Sequence, residues 1–386
     1  MNIAIFSDCY LPIKNGVVTS VLQLKEGLEK KGHNVLIITI EVPNYDETDQ
    51  NIYRLPSIYS GLGEQRLGII NQGAVNRFLK KKKIELVHTH TEFALGYCGK
   101  TVAKKLNIPH IHTTHTLWEE YRHYIFNGKL LSRKMVRRII SMFLKNVSMI
   151  IAPSIKAKKY NEELFPEIPV EIVNNGIDVT KFKAKEVTDE DINTLKKKYE
   201  IEPTDKLLIF VGRIGKEKRV GELLDSVIPI IEKDKKIKII FVGDGPALKD
   251  LKTRVKEFDL IKNVIFTGFV SWDTVHILYS MSNVFVTLSL SEVHPMTLIE
   301  ASMCGLPLVV RKDDSCLDLV EHDVNGYLNE TDAEFTKNLD RLIHDDYLLK
   351  KFSYASFEIS KRFTAENHVN QIENIYKKVL EEFNKK

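Results

Sequence analysis

An α/β fold of two doubly wound, Rossmann-like domains is what this sequence predicts, and three observations carry it. Short β-branched runs alternate with longer amphipathic segments, the signature of strand, helix, strand. The runs are apolar throughout, as parallel strands buried on both faces must be. The same pattern begins again after a lysine- and acid-rich stretch at 181–200, and 386 residues exceed one comfortable core.

Taken in order, "NIAIFS" reads as the first strand and is followed by a helix over 16–31. "NVLIITI" and "IELVHTH" are further strands, with a helix over 95–106 before "HIHTTH" and "SMIIAPS". In the second half the strands are "KLLIFVGR", "IKIIFVGDG", "NVIFTGFV", "NVFVTLSL" and "LPLVVRK", with helices between them. Residues 364–386 form one amphipathic helix with no strand to follow. This places the domains at 1–180 and 181–363. Ligands of such sheets bind outside the carboxyl ends of the strands, so two facing domains are expected to make a central cleft.

Composition excludes several classes. With 43% hydrophobic and 28% charged residues the chain is neither disordered nor fibrous. No apolar run approaches the roughly 20 residues of a membrane span. "MNIAIFSDCY" lacks the basic and long apolar parts of a signal peptide, so a cytoplasmic location is expected. Cys9, Cys98, Cys304 and Cys316 are scattered, which indicates neither a disulfide framework nor a zinc site. The net charge of +4 hides an asymmetry: residues 51–150 hold 17 of the 56 Lys and Arg but only 5 of the 52 Asp and Glu. Such an excess suits an anionic partner. Without interleaved aromatics, a helix-turn-helix or a zinc pattern, nucleic acid is not the expected one.

Several short stretches could carry chemistry. In "SEVHPMTLIEA", Glu292 follows a strand and Glu300 sits in the next helix. Capping and solvation would account for both, as would a ligand that both face. In "FVGRIGKEKRV", Gly212 permits close backbone approach while Arg213 and Lys218 offer a clamp for a diphosphate, without the ending of a Walker A loop. Gly243, Gly245 and Pro246 of "FVGDGPALK" specify a tight strand-to-helix turn. "FTGFV" puts Phe269 beside a strand-end glycine, where core packing is the default and a wall for a base the alternative. Gly16 in "LPIKNGVVTS" lies just before a helix, whose N-terminus is a ready anion site. Histidines cluster at 88, 90, 110, 112, 115 and 123. Strand alternation points His110 and His112 one way, as satisfied side chains, and leaves His115 at the strand end where a ligand would lie.

In this order, "NGVVTS", "NNGIDVTKF", "GR-x4-K", "GDGP", "TGFV" and Glu-x7-Glu resemble the retaining GT-B glycosyltransferases of family GT4, over almost the whole chain. The resemblance implies that Glu300 holds the ribose of a sugar nucleotide, and that Glu292 with the loop 293–297 addresses donor sugar and diphosphate. It implies a catalytic set of His115, Arg213, Lys218 and Glu292, and donor-binding positions at Gly16, Gly212, Gly243, Val270, His294, Met296, Thr297 and Glu300. The terminal helix is expected to cross back onto the first domain. No cofactor is required beyond the UDP-sugar donor, UDP-glucose being the first choice; Mg2+ is compatible without being essential, and no metal ligands are assigned. Many relatives have Phe-Gly where His294 and Pro295 stand, and Pro295 has no N–H to offer, so donor-sugar identity stays open.

The acceptor rests on the first domain. A helix over 129–146 places Leu131, Met135, Ile139, Met142 and Phe143 on one face, with Arg133, Lys134, Arg137, Arg138 and Lys145 elsewhere. With the basic run at 77–83, this suits an anionic membrane surface, or a core helix whose cations face water. "HTHTEFALG" and "HTTHTLWEEYRHYI" look like the subset of the family that glucosylates diacylglycerol. The implied product is an α-glycosyl diacylglycerol, made by an enzyme peripheral on the inner face of the cell membrane. A teichoic acid, a polyprenyl-linked saccharide or a small acceptor remains the alternative within the family. A nucleic-acid-binding module and a noncatalytic sugar-nucleotide binder are the alternatives outside it.

Overall fold

Because each apolar run sends alternate side chains to opposite faces, each sheet gathers a core on both sides. The structure is a computed structural model, and it describes all residues except 14, 60–65, 122–131, 183–185 and 386. The chain divides into two units, one of Met1–Gly176 with Ala365–Lys386, the other of Ile177–Thr364.

The first unit contains β1 (Asn2–Phe6), β2 (Asn34–Ile40), β3 (Ile52–Leu55), β4 (Ser57–Tyr59), β5 (Arg66–Gly68), β6 (Leu86–Thr89), β7 (His110–Thr113), β8 (Met149–Ala152) and β9 (Val170–Ile172). Its main sheet runs β3-β2-β1-β6-β7-β8-β9 with parallel pairs, and β4 pairs with β5 antiparallel beside it. Ile3 and Ile5 pack against Val21, Leu24 and Leu28 of helix Gly16–Lys30. Ala4 and Phe6 face the other way, onto Val75 and Leu79 of helix Gln72–Lys81 and Leu95 and Val102 of helix Ala94–Leu106.

The second unit contains β10 (Lys206–Val211), β11 (Ile237–Val242), β12 (Val264–Gly268), β13 (Val284–Thr287), β14 (Leu308–Arg311) and β15 (Gly326–Asn329). They pair in parallel in the order β12-β11-β10-β13-β14-β15. Leu208 and Phe210 meet helices Val220–Lys233 and Asp332–Ile343; Leu207 and Ile209 meet helices Trp272–Ser280 and Met296–Met303. Both units are thus helix-covered parallel sheets, each of the doubly wound, Rossmann-like kind.

After the second unit the chain returns to the first as helix Ala365–Asn384. Val369, Ile372, Tyr376 and Val379 recur at helical spacing and complete the core around Ile3 and Ile5. Glu373 bonds Lys31 at 2.8 Å and His33 at 3.2 Å, and Lys31 with Lys377 holds its carboxyl down at about 2.

Two expectations need correction. Phe269, read as core, is 77% exposed, because β12 ends at Gly268 and the next residue leaves the sheet. The helix read at 129–146 spans Arg133–Leu144; its residues 129–131, with His123, lie outside the described residues.

Helix Gly16–Lys30 and the terminal helix meet where Gly27 has no side chain, and a Cβ there would lie 2.5 Å from Val369 Cγ2. Gly27→Val should therefore loosen the terminal helix, at a cost of about 1–3 kcal/mol for overpacking. Hydrogen exchange of residues 365–384 should rise in that variant, while exchange in helix Met296–Met303 stays as in the parent.

Candidate active site

The ends of β10, β11 and β12 are tied by their own backbones. Ile214 N–H donates to Asp244 O at 2.9 Å, Ala247 N–H to Ile214 O at 2.9 Å, and Gly243 N–H to Gly268 O at 2.9 Å. Gly243 adopts φ +131°, and a Cβ on it would sit 2.0 Å from Gly212 O, so only glycine lets these loops approach. Arg213 stands above this base with a side chain 53% exposed, 4.0 Å from Glu217. A single 3-10 turn, Lys216–Lys218, then brings Lys218 round to the end of β13.

There Lys218 Nζ meets Glu292 Oε1 at 2.5 Å, and Ser289 Oγ donates to the same oxygen at 3.2 Å. Glu292 is therefore the partner of a cation rather than a helix cap. The following helix starts at Met296, with Pro295 at the N-cap position and no side-chain cap. Met296 and Thr297 are half-buried in its first turn, whereas the ring of His294 is buried 6.2 Å from that of Phe363. Val270 is half-buried just beyond β12, next to the exposed Phe269.

Glu300 is not a solvated helix residue. It is 6% exposed, and its two oxygens accept from Trp272 Nε1 and Tyr279 OH, each at 2.9 Å. Burial pushes its carboxyl up to about 7, although both donors pull the other way. Sequence reasoning named Glu300 but missed Trp272 and Tyr279. Their places on one helical face, seven residues apart, were the available signal.

In the first unit, Gly16 is exposed at the start of helix Gly16–Lys30, which Asn15 caps by accepting from Val18 N–H at 2.9 Å. A Cβ at Gly16 would meet nothing within 4 Å. Asp8, also unflagged by sequence, accepts from Leu95 N–H at 3.0 Å and from Thr91 Oγ1, so a β1 loop caps helix Ala94–Leu106. The histidines gather at the ends of β6 and β7. His110 and His112 share one face, both bonding Thr89 Oγ1 at 2.9 Å, and His112 also reaches Glu92 at 3.2 Å. His115, two residues past β7, is half-buried, with Nε2 2.9 Å from His90 Nδ1. Among the described residues no three His, Cys, Asp or Glu side chains gather as metal ligands.

The raised Glu300 carboxyl has a testable sign. The folded chain keeps a proton that the unfolded chain, at 4.5, has lost. Its contribution to stability is therefore full below pH 4.5 and lost as pH rises to about 7. Glu300→Gln should remove that slope, up to about 3 kcal/mol across the window. Urea unfolding followed by Trp272 fluorescence in a Trp118→Phe background checks it; parallel slopes in parent and variant would contradict the protonation.

Comparison with known proteins agrees with this architecture. The family profile described as Glycosyl transferases group 1 matches residues 191–358, and that described as Glycosyltransferase Family 4 matches residues 14–181. An alpha-monoglucosyldiacylglycerol synthase of Acholeplasma laidlawii is 33% identical, over 100% of this chain and 99% of the relative. One of Streptococcus pneumoniae is 31% identical, over 85% and 75%. The crystal structure of Anabaena HepE in complex with UDP superposes with a TM-score of 0.78 at 18% identity, covering 98% of this chain and 100% of that one. The two half-chain profiles fall on the two sheets in turn, and a relative a third identical runs the full length: this chain belongs to the family 4 glycosyltransferases of GT-B fold.

Proposed function

We propose that this glycosyltransferase moves glucose, with retention, from UDP-glucose to diacylglycerol at an anionic membrane surface, giving an α-glucosyl diacylglycerol. The observation that carries the reading is the full-length likeness to alpha-monoglucosyldiacylglycerol synthase at 33% identity. The solved relative with UDP bound, though it speaks for the fold alone, is compatible with the donor.

The site geometry suggests how the reaction would run. Breaking the bond from sugar C1 to the diphosphate oxygen builds negative charge on UDP and positive charge on the ring. Lys218 and Arg213 would oppose the first, held in place by Glu292 and by the loops on Gly212 and Gly243. The amides of Met296 and Thr297, at the open start of their helix, and of Gly16 would add to that field. Glu300 with Trp272 and Tyr279 would orient the ribose, and Val270 with Phe269 would border the base. His294 would contribute backbone rather than ring, since its ring is buried. His115 would contact the donor sugar. The acceptor oxygen would bond C1 on the face the phosphate leaves, its proton passing to the departing phosphate oxygen. No covalent nucleophile and no metal are invoked.

The lipid surface is read from helix Arg133–Leu144. Val136, Ile140, Phe143 and Leu144 are buried, so Phe143 belongs to the inward stripe and not to the outward one. Met135, Ile139 and Met142 form a second, exposed stripe at 49%, 42% and 59%, flanked by the exposed Arg133, Lys134 and Arg138. An exposed apolar stripe between cations fits an acidic lipid surface. Arg137 does not join them, because Glu119 at 2.7 Å and Glu163 at 3.2 Å hold it. Arg77 and the lysines at 80–83 are exposed on the same unit and would add to the attraction. Among the described residues no helix is long and apolar enough to cross a membrane, so attachment would be peripheral.

Incubation with diacylglycerol in acidic vesicles and a panel of sugar nucleotides, read by mass spectrometry, should yield one hexosyl diacylglycerol from UDP-glucose. Lys218→Ala should lower its rate about 10²–10³-fold while melting stays near that of the parent. Donor turnover with no lipid product would redirect the acceptor, and parental turnover in Lys218→Ala would remove the clamp. Separately, Arg133→Gln, Lys134→Gln and Arg138→Gln together should release the protein from phosphatidylglycerol vesicles in a flotation assay. UDP binding should be unaffected.

A further inference from the structure

The histidine layer holds one polar atom that the proposed chemistry does not use. His90 is 1% exposed, and its Nε2 has no hydrogen-bond partner among the described residues. Its Nδ1 lies 2.9 Å from His115 Nε2, with the ring centroids 5.1 Å apart and the planes 22° from parallel, so the two rings meet edge to edge. We propose that His90 is a positioning residue: its Nδ1–H donates to His115 Nε2, which fixes the proton of His115 on Nδ1 and leaves that N–H as a donor for the ligand.

The direction of the bond follows from the orphaned nitrogen. Burial pushes His90 well below the usual imidazole range and His115 down to about 3, so both rings are neutral near pH 7. Two neutral imidazoles share one proton, which leaves two arrangements. If His115 donated, His90 would carry its proton on Nε2, a buried N–H with no acceptor. If His90 donates, its Nε2 is a bare lone pair. A buried unpaired N–H is the rarer and costlier of the two, so the second arrangement wins.

The rest of the layer keeps His90 where this bond needs it. Its ring packs 4.2 Å from that of His88. Both nitrogens of His88 are taken, Nδ1 by Tyr376 OH at 2.6 Å and Nε2 by Thr113 Oγ1 at 2.7 Å. A ring held at both ends is a fixed wall for its neighbour. Among the described residues nothing bonds His115 Nδ1. In the reading of His115 as a donor-sugar contact, on which the functional side of this inference rests, the tautomer presents an N–H to a sugar oxygen rather than a lone pair to a hydroxyl proton.

The test reads the tautomer directly. In full-length protein labelled with 15N-histidine, long-range 1H–15N spectra separate pyrrole-type from pyridine-type nitrogens, and His115 is assigned by its loss in His115→Gln. The expected result is a single Nδ1–H form of His115 in the parent. His90→Phe, which keeps a ring but no donor, should give mixed tautomers; His90→Asn, whose amide nitrogen can stand near the place of Nδ1, should restore the single form. The kcat should fall about 10²-fold in His90→Phe and recover in His90→Asn. An Nε2–H form of His115 in the parent, or a His115 spectrum unmoved in His90→Phe, overturns the proposal. A tautomer that responds as expected with kcat and donor KM unchanged upholds the positioning and removes His115 from the donor sugar.

Discussion

A parallel sheet covered on both faces has no face left for a charge, and that constraint arranges everything else in this protein. Leu208 and Phe210 are buried on one side of β10, Leu207 and Ile209 on the other, and the first unit repeats this with Ile3, Ile5, Ala4 and Phe6. An unpaired ion inside either layer would lose its hydration with nothing in return. Polar chemistry is therefore pushed to the strand ends. Because the strands run the same way, those ends fall along one edge, and residues distant in sequence become neighbours. Lys218 reaches Glu292 across 74 positions, and His90 reaches His115 across 25.

The two edges solve the same problem with different chemistry. In the second unit charge is kept at the rim, where Lys218 and Glu292 retain side-chain exposures of 14% and 26%. Deeper in, Glu300 gives up its charge more easily than a free carboxyl, because burial outweighs the bonds from Tyr279 and Trp272. In the first unit His88, His90, His110 and His115 are all pushed toward the neutral form, and burial is the leading cause for each. Neutral rings can exchange hydrogen bonds without the repulsion that a stack of imidazoliums would suffer.

How much of this could be read beforehand depended on whether the signal was local. Runs such as "NVLIITI" and "IKIIFVGDG" announce buried strands without help from the rest of the chain, and the terminal helix shows itself through spacing alone. β15, "GYLN", has no β-branched residue, and only its pairing with β14 makes it a strand. Phe269 has the composition of a core residue and the position of an edge one. The glutamates at 292 and 300 were legible as a pair, yet their surroundings were not: Lys218, Trp272 and Tyr279 come from other elements. The helix from Arg133 misled in a further way. It is apolar on two sides, and a sequence pattern cannot say which one the fold will cover.

The return of helix Ala365–Asn384 to the first unit has a consequence for the newborn chain. Synthesis runs from the N-terminus, so the sheet of the first unit is complete long before Ile372 and Tyr376 exist to cover it. The second unit, contiguous from Ile177 to Thr364, meets no such delay and can close as soon as it emerges. The part made first is thus finished last, and until then Ile3, Ile5 and the ring of His88 lack the helix that covers them in the folded protein.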